Sequence, residues 1–357
     1  MNDLNERKLN MSAILAAPAT QPTAPLKAQH GRMATDLDAY CENYLIEWEK
    51  RATVRTKTRT RLTQESLKQE LFTHPLKPFL QHEAVIALGP KAVHDFSLQA
   101  ACNLFQGVAN FEIDFVTHIC AKIANHSIGV ELPEAAKQVA ISIGTDEMYH
   151  AFTARECLND IKLHTGIAPY QPVSVAATDF GEKVPPLDFF KCAVPKHLEA
   201  IAETTLLCLL ENTFTEELYG LSKDATKDSP MHVIMREHIL DEGRHMVYFQ
   251  RLLRHIWANI TEEDRVSLGA ALVQYCDNYL VIDAAASLTG YTHVLHQLGL
   301  DKETSIRIAQ ETVDSEPEPT RDQMKSIENP LHLMRVAGIL DHAPTHKRLL
   351  ESGWILK

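Results

Sequence analysis

The stretch that decides the fold is His238-Ile239-Leu240-Asp241-Glu242-Gly243-Arg244-His245. In an α-helix His238, Glu242 and His245 stand at i, i+4 and i+7, so the three side chains share one face. Two imidazoles and a carboxylate on one helical stripe make half of a metal site. We therefore expect the remaining ligands on other helices that pack against this one.

A second segment repeats the pattern. Asp146-Glu147-Met148-Tyr149-His150 places Glu147 and His150 at i and i+3 on one helix face. Two D-E-x-x-H segments on different helices are a rare coincidence in a chain of 357 residues. The pair predicts that both segments contribute to the same site.

Two further carboxylates stand in apolar surroundings. Glu112 follows Ala109-Asn110-Phe111, and Glu211 follows Leu209-Leu210. A buried carboxylate must be neutralised, paired or bound to metal, which makes each a candidate ligand. Taken singly, each is also compatible with a surface position. In the second case Glu203, Glu216 and Glu217 are competing candidates, and we prefer Glu211 because the residues before it are apolar on all sides.

The periodicity of apolar residues predicts an all-α protein. Expected helices cover about 91–125, 133–162, 187–221 with a kink at Pro195, and 230–259, and a fifth is capped by Thr261. Residues 1–33 are expected to be a flexible tail and 34–357 a single domain, with further helical pieces interrupted near 314–319 and at Pro330. A proline-rich connection is expected over 165–186. Four glutamates and two ExxH elements on four long helices match a dinuclear carboxylate bundle, here with extra N- and C-terminal helices.

The ligand chemistry indicates the metal. Four carboxylates carry a charge of about −4, which two divalent ions neutralise, and mixed carboxylate and imidazole donors suit iron or manganese. The cysteine-rich donor set of structural zinc is absent from the motifs. Asp146 and Asp241, which precede the ligand glutamates, are each expected to accept the N–H of a ligand histidine from the facing helix. A solvated helical aspartate is the alternative for both.

Composition restricts the partners. A net charge of −12 argues against nucleic acid as the main partner. Seven cysteines without a CxxC pair, several of them in apolar helices, are typical of a reducing cytoplasm, and we see neither a membrane span nor a signal peptide. The basic run from Lys50 to Arg61 is interpreted as a solvated strand or turn, or alternatively as a surface for a partner or for the anionic tail of a substrate.

With the extra histidine, the ligands read E, ExxH, E and HxxxExxH along four helices. That pattern resembles the ferritin-like di-iron proteins, and His238 makes it similar to the p-aminobenzoate N-oxygenases (AurF-like di-iron oxygenases). The resemblance implies that Glu112 and His150 hold one iron, that Glu211, His238 and His245 hold the other, and that Glu147 and Glu242 bridge the two ions.

The same resemblance implies an activity. Two iron ions would activate O2, an external donor would supply electrons, and oxygen would be transferred to an amine to give a hydroxylamine, nitroso or nitro product in natural-product biosynthesis. One feature departs from the family: Lys91 is the only lysine or arginine from 83 to 111, where a substrate carboxylate would need one. An amino acid or an amine on a carrier protein is therefore an alternative to a simple aminobenzoate.

Several assignments remain open at this point. The candidate pocket residues beside the ligands, each of which could equally be core, are Phe111, Phe115, Met148, Tyr149 and Phe214. Another di-iron oxidase, such as a C–H hydroxylase or desaturase, and an iron-storage or ferroxidase protein are the competing functions. Sequence leaves the substrate, the reductant and the oligomeric state undecided, with a homodimer among the alternatives.

Overall fold

The computed structural model describes residues 31–68, 82–168, 186–224, 229–280 and 325–355, and most of 288–315. These residues form helices and connecting turns without a β-strand, which confirms the predicted all-α class. Numbered in chain order, the α-helices are α1 (Gly31–Arg51), α2 (Thr53–Thr56), α3 (Glu83–Ile86), α4 (Pro90–Phe111), α5 (Thr117–Ala124), α6 (Glu134–Thr165), α7 (Pro186–Ala193), α8 (Glu199–Asp224), α9 (Pro230–Asn259), α10 (Glu262–Tyr275), α11 (Lys302–Ser315), α12 (Lys325–Val336) and α13 (Ala343–Glu351).

The helix that carries the opening stretch, α9, has the bounds that the sequence predicts. Ser229 caps its first turn by accepting a hydrogen bond from the His232 amide, and Pro230 occupies the first helical position. The next helix, α10, is capped as predicted by Thr261, whose side chain accepts from the Asp264 amide. Local capping chemistry therefore sets these boundaries.

Prolines account for two differences from the predicted helices. Pro195 does not kink one long helix but separates α7 from α8, with a 3-10 turn at Lys196–Leu198 between them. Pro330, where a break was predicted, lies inside α12. The following Leu333 and Met334 are buried in the largest apolar cluster of the protein, which we call the main core. Their packing outweighs the single backbone hydrogen bond that a proline removes.

The predictions for the N-terminal part of the chain differ in detail from the structure. Residues 31–33, assigned to the tail, belong to α1, and the rest of the tail lies outside the described residues. The basic run is not a strand: α1 continues to Arg51, α2 covers Thr53–Thr56, and an irregular segment follows. Most of the connection expected over 165–186 also lies outside the described residues.

Two helical pairs form the centre of the molecule. The chain through α4 and α5 packs against α6, and α8 packs against α9. The N-terminal helix α1 lies against both α6 and α9, while α12 packs on α8. No helix in the described part of the chain combines the length and apolar character needed to cross a lipid bilayer.

Two large apolar clusters lie along the bundle, and a smaller third one surrounds Val85 and Ile308. One apolar cluster contains residues such as Ile119 on α5, Ile143 on α6 and Leu252 on α9. The other contains residues such as Phe105 on α4, Ala154 on α6 and Met235 on α9. On α6 and α9 the predicted ligands fall between residues of the two clusters, as does Glu112 on the chain from α4 to α5, whereas Glu211 on α8 directly follows residues of the first cluster. The bundle therefore holds a polar layer enclosed by apolar packing at both ends.

Candidate metal centre

The structure brings all seven predicted ligand side chains together in this layer. They form two groups, within each of which the donor atoms lie within 4.8 Å of one another. The members are Glu112, His150, His238 and Glu242 in the first group, and Glu147, Glu211, Glu242 and His245 in the second. Glu242 belongs to both groups, so the two positions are adjacent and share a carboxylate.

A π-helical turn presents the first glutamate. Between α4 and α5 the chain forms a π-helix over Glu112–Val116, with Glu112 at its first position. Such a turn inserts one extra residue into the helical repeat and is frequent at functional sites. Glu112 is only 5 % exposed, and its Oε2 atom is buried without a hydrogen-bond partner among the described residues.

Two carboxylates lie between the imidazoles of the facing helices. Glu147 approaches His245 through Oε1, 2.8 Å from Nδ1, and His150 through Oε2, 2.9 Å from Nδ1. Glu242 spans the same gap, with Oε1 3.3 Å from Nδ1 of His150 and Oε2 3.4 Å from Nδ1 of His245. Each carboxylate thus offers one oxygen to each side, which is the arrangement that a bridging ligand needs.

The third histidine joins the first group. Its Nε2 lies 3.0 Å from Oε1 of Glu242 and 3.8 Å from Oε1 of Glu112, and its ring stacks on His150 with centroids 4.0 Å apart. The resemblance assigned His238 to the group of Glu211 and His245, and the structure corrects this assignment. The reason is helical rise: His238 lies two turns before His245, roughly 10 Å along the axis, on the side of Glu112.

Both predicted aspartates hold an imidazole of the opposite helix. The Nε2 of His245 on α9 donates to Asp146 on α6 at 3.1 Å, and the Nε2 of His150 on α6 donates to Asp241 on α9 at 3.2 Å. These contacts confirm the expected hydrogen bonds. Because Nε2 is engaged in each ring, Nδ1 is the atom turned toward the carboxylates, and the tautomer suited to metal binding is fixed.

Residues from α1 and α2 support the aspartates from outside. The indole Nε1 of Trp48 lies 2.9 Å from both oxygens of Asp146, and the amide of Thr53 donates to Asp241 at 3.2 Å. Arg244 forms an ion pair with Asp241 and lies 3.8 Å from Asp146. The extra N-terminal helices therefore form part of the site's support.

Burial and mutual charge set the protonation of the cluster. Burial and the repulsion of neighbouring carboxylates raise the pKa of Glu112 and Glu211 well above the ordinary value. Burial alone would raise the pKa of Glu242, but the charge of His245 and hydrogen bonds from the imidazoles hold this pKa well below the ordinary value of a glutamate.

The imidazoles respond in opposite directions. Burial opposes protonation of His150, yet its hydrogen bonds to Asp241 and to the glutamates raise its pKa well above the usual value. Burial and the positive charge of His150 lower the pKa of His238. When no metal is bound, protons on the histidines and glutamates thus neutralise the charge of the cluster. When two divalent ions are bound, the four carboxylates balance the charge of the ions by themselves.

The donor set fits a pair of divalent transition ions. Four carboxylates and three imidazoles are hard to borderline donors, which suit iron and manganese. Oε2 of Glu112 is buried and has no hydrogen-bond partner among the described residues. A buried oxygen without such a partner needs an explanation, and a role as a metal ligand provides one. Nδ1 of His245 and Oε1 of Glu147 lie 2.8 Å apart, and neither atom has another hydrogen-bond partner among the described residues. The residues therefore fit a dinuclear metal.

A cavity reaches the centre from one side. The exposed surface of its walls is mainly apolar, and it encloses about 30 Å³. The apolar lining residues are Leu104, Phe105, Val108, Ala154, Ile234 and Met235. Its inner end is formed by His150 and His238, and its polar side by Thr53, Arg59, Thr60, Tyr149, Thr153 and Glu237.

Among the predicted pocket residues whose side chains are described, one lines the cavity. Tyr149 lines the cavity, but Phe111, Phe115 and Met148 do not. Met148 follows a ligand in sequence, yet one residue turns a helix by about 100°, and its side chain is 48 % exposed. Phe111 and Phe115 lie 5.4 Å apart and pack against the main core. Phe214 lies on α8, with its side chain outside the described residues.

Sequence reasoning missed most of the cavity. The basic run did contain Arg59, but nothing in its spacing connected it to a pocket formed by α4, α6 and α9. Trp48 was not among the predicted site residues, and Thr53 gave no signal because it contributes a backbone amide. Packing between segments that are distant in sequence brings Arg59, Trp48 and Thr53 to the site.

Comparison with known proteins adds no assignment. The chain matches no protein-family model, and no curated protein matches it. The class defined by the fold and site is an all-α helical protein with buried glutamate and histidine groups able to hold metal ions.

Proposed function

We propose that this protein is a non-haem di-iron oxygenase that uses O2 to oxidise an amine. The observation that carries the proposal is the seven-residue ligand set, in which two adjacent groups share Glu242 and one contains the third histidine, His238. The resemblance to ferritin-like N-oxygenases rests on the same seven residues. A pair of iron ions held there would supply the reduction of O2 with electrons from an external donor.

The protein's own contribution is positioning and exclusion of water. Asp146 and Asp241 orient two of the imidazoles, and Trp48 and Thr53 hold the aspartates in turn. The apolar clusters on both sides keep the layer dry, which strengthens electrostatic interactions within it. The cavity that the structure describes meets the centre at His150 and His238, in the first group.

The enclosure favours an oxygenase over iron storage. Glu112, Glu147, Glu211, Glu242 and His245 are each at most 5 % exposed, and the described cavity that meets the centre is mainly apolar. A ferroxidase that passes many ions to a store needs a polar route for them. A mainly apolar cavity instead suits an organic substrate.

The test is reconstitution followed by product analysis. The full-length protein is loaded with Fe(II) without oxygen, its iron content is measured, and O2 and a reductant are added with a panel of free and carrier-bound amines. We expect about two irons per chain and products whose mass shows oxygen on nitrogen. Many irons per chain with no oxidised amine would indicate storage, and oxygen on carbon would indicate a hydroxylase.

A further inference from the structure

We infer that the exposed basic run from Lys50 to Arg61 is the docking surface of the external reductant, that this partner is a small acidic electron-carrier protein, and that its electrons enter at Trp48. We call this run of residues the basic face. The inference rests on the proposed function for the need of electrons. It goes further in stating where the electrons enter and what kind of protein brings them.

The basic face stands out in a protein of the opposite charge. Between residues 50 and 61 the sequence contains no aspartate or glutamate, in a chain with a net charge of −12. The exposed cations of the face are Lys50, Arg51, Arg55, Lys57, Arg59 and Arg61. Such a surface attracts the acidic face of a partner and orients its approach.

Neighbouring acids neutralise the face only in part. The acids that pair with its cations are Glu47, Glu49, Glu156 and Asp160, and Glu237 lies near Lys57. Glu47 and Glu156 are each shared between two cations. The cations therefore outnumber these acids, and the face keeps a positive excess.

The face lies directly outside the candidate metal centre. Thr53, within the run, donates its backbone amide to Asp241 of α9 at 3.2 Å. Arg61, at the end of the run, pairs with Asp160 of α6. The segment therefore crosses both helices that carry a D-E-x-x-H motif. A protein bound to it is held against the side of the bundle where those motifs lie.

Trp48 connects the face to the second ligand group. Its ring is partly exposed, with Cζ of Arg55 5.4 Å from the ring centroid. Its Nε1 donates to Asp146 at 2.9 Å, and Asp146 accepts from Nε2 of His245 at 3.1 Å. A hydrogen-bonded path thus runs from the surface to a candidate metal ligand. Electrons tunnel more efficiently along such a path than across a gap between unbonded groups.

The position of Trp48 favours an electron carrier over a carrier protein that presents a substrate. The described cavity meets the centre at His150 and His238, and Trp48 does not line it. The path from Trp48 leads to His245, which belongs to the other ligand group. Arg59 does line the cavity, so an acidic substrate-carrier protein is the alternative occupant of the face.

The transfer at this face is a sequence of one-electron steps. Each reduced carrier loses one electron and one ferric ion at the centre becomes ferrous, so two carriers reduce the pair. These two electrons, with O2 and two protons, place one oxygen atom on the amine nitrogen and release the other as water. The electrons and atoms of the proposed reaction therefore balance without a further reactant.

The first experiment measures binding, which needs neither iron nor turnover. Oxidised plant-type [2Fe–2S] ferredoxin, a small acidic carrier, is titrated in a calorimeter into the full-length protein at low and at high ionic strength. We expect salt to weaken binding, and Arg51→Glu to weaken it about tenfold because repulsion replaces attraction. Arg307→Glu is the matched control and should bind like wild type, since Arg307 on α11 is also exposed and pairs with a glutamate four positions away.

The second experiment measures the rate of electron transfer. Diferric protein is mixed with reduced ferredoxin in the absence of oxygen, and the limiting rate within the complex is followed by the absorbance of ferredoxin. We expect Trp48→Phe, which loses the indole N–H, to lower this rate several-fold while iron content, reduction potential and ferredoxin affinity remain those of wild type. Trp354→Phe, which loses an indole bond to Asp277, is the control and should keep the wild-type rate.

Several outcomes would overturn the inference. They are no ferredoxin binding by wild type, equal losses in Arg51→Glu and Arg307→Glu, an unchanged limiting rate in Trp48→Phe, and tighter binding of an acyl carrier protein to the same face. Reduction by ferredoxin without oxidation of any amine would count against the proposed function alone. Amine oxidation driven by a chemical reductant, without ferredoxin binding, would count against this inference alone.

Discussion

The carboxylate of Asp146 on α6 lies 3.1 Å from Nε2 of His245 on α9, and the same relationship recurs in reverse between Asp241 and His150. Each D-E-x-x-H segment therefore supplies an acceptor for the imidazole of the other. The two pairs fix how α6 and α9 face one another, and they turn both Nδ1 atoms toward Glu147 and Glu242. The duplicated motif is thus a reciprocal structure rather than two independent half-sites.

Replacing the shared carboxylate should abolish metal binding. Glu242 belongs to both donor groups, so Glu242→Gln removes a charged ligand from each position. We expect metal analysis of the purified variant to show a loss of both ions. Glu237→Gln, on the same helix but in the cavity wall, is the control and should keep them. Two ions retained in Glu242→Gln would contradict the assignment of the centre.

The two positions should be separable. His238 belongs to the first group alone and Glu211 to the second alone. We expect His238→Ala to weaken one position and Glu211→Ala the other, so that each variant retains about one ion per chain in a stepwise iron titration. If His238→Ala still bound two ions with wild-type affinity and oxidised amines at the wild-type rate, the third histidine would have no role in the centre.

The hydrogen bond that orients His245 should affect metal affinity without removing a ligand. Asp146→Asn leaves an amide where the imidazole N–H needs an anion, and changes of this kind typically cost about 10–100-fold in metal affinity. Asp277, which accepts a hydrogen bond from Trp354 at 2.6 Å and belongs to neither donor group, allows the matched control Asp277→Asn. Equal metal affinities of the two variants, measured by competition with a chelator, would show that Asp146 has no orienting role.

Metal binding should release protons. In the metal-free cluster the raised pKa values of His150, His245, Glu112 and Glu211 favour the protonated forms, and ions must displace these protons. The imidazoles and the carboxyls are both sources of the released protons. Calorimetry in buffers of different ionisation enthalpy measures the number. Affinity should fall as pH falls; an affinity independent of pH would argue against imidazole ligands.

A stability prediction tests the packing of the C-terminal helices. A Cβ on Gly269 of α10 would lie 2.0 Å from Oγ1 of Thr345 on α13, so Gly269→Ala should lower the free energy of unfolding by about 1–3 kcal/mol. A Cβ on Gly243 of α9 meets no atom within 4 Å, and Gly243→Ala should stabilise by about 0.5–1 kcal/mol. Chemical denaturation of both variants checks the sign. A stabilised Gly269→Ala would mean that the two helices are not in contact here.

Much of the site could be predicted from spacing. Glu147 with His150, and His238 with Glu242 and His245, are each placed on one face by the helical repeat, which is a local property of the backbone. Glu112 and Glu211 could be proposed because charge in an apolar segment needs a partner. The division of the ligands into two groups could not be predicted, because it depends on how α4, α6, α8 and α9 are aligned along their axes.

The sequence by itself determined the helical class, the bounds of α9 and the seven candidate metal-binding residues, because capping, periodicity and ligand spacing act over a few residues. Only the tertiary structure decided that His238 groups with Glu112 and His150, and that Arg59 lines a cavity beside the centre. Those outcomes depend on contacts between residues about 90 or more positions apart in the chain, such as Arg59 with Glu156 and Trp48 with Asp146. The opening stretch supplied the ligands, and the packing of α1 and α6 on α9 arranged them.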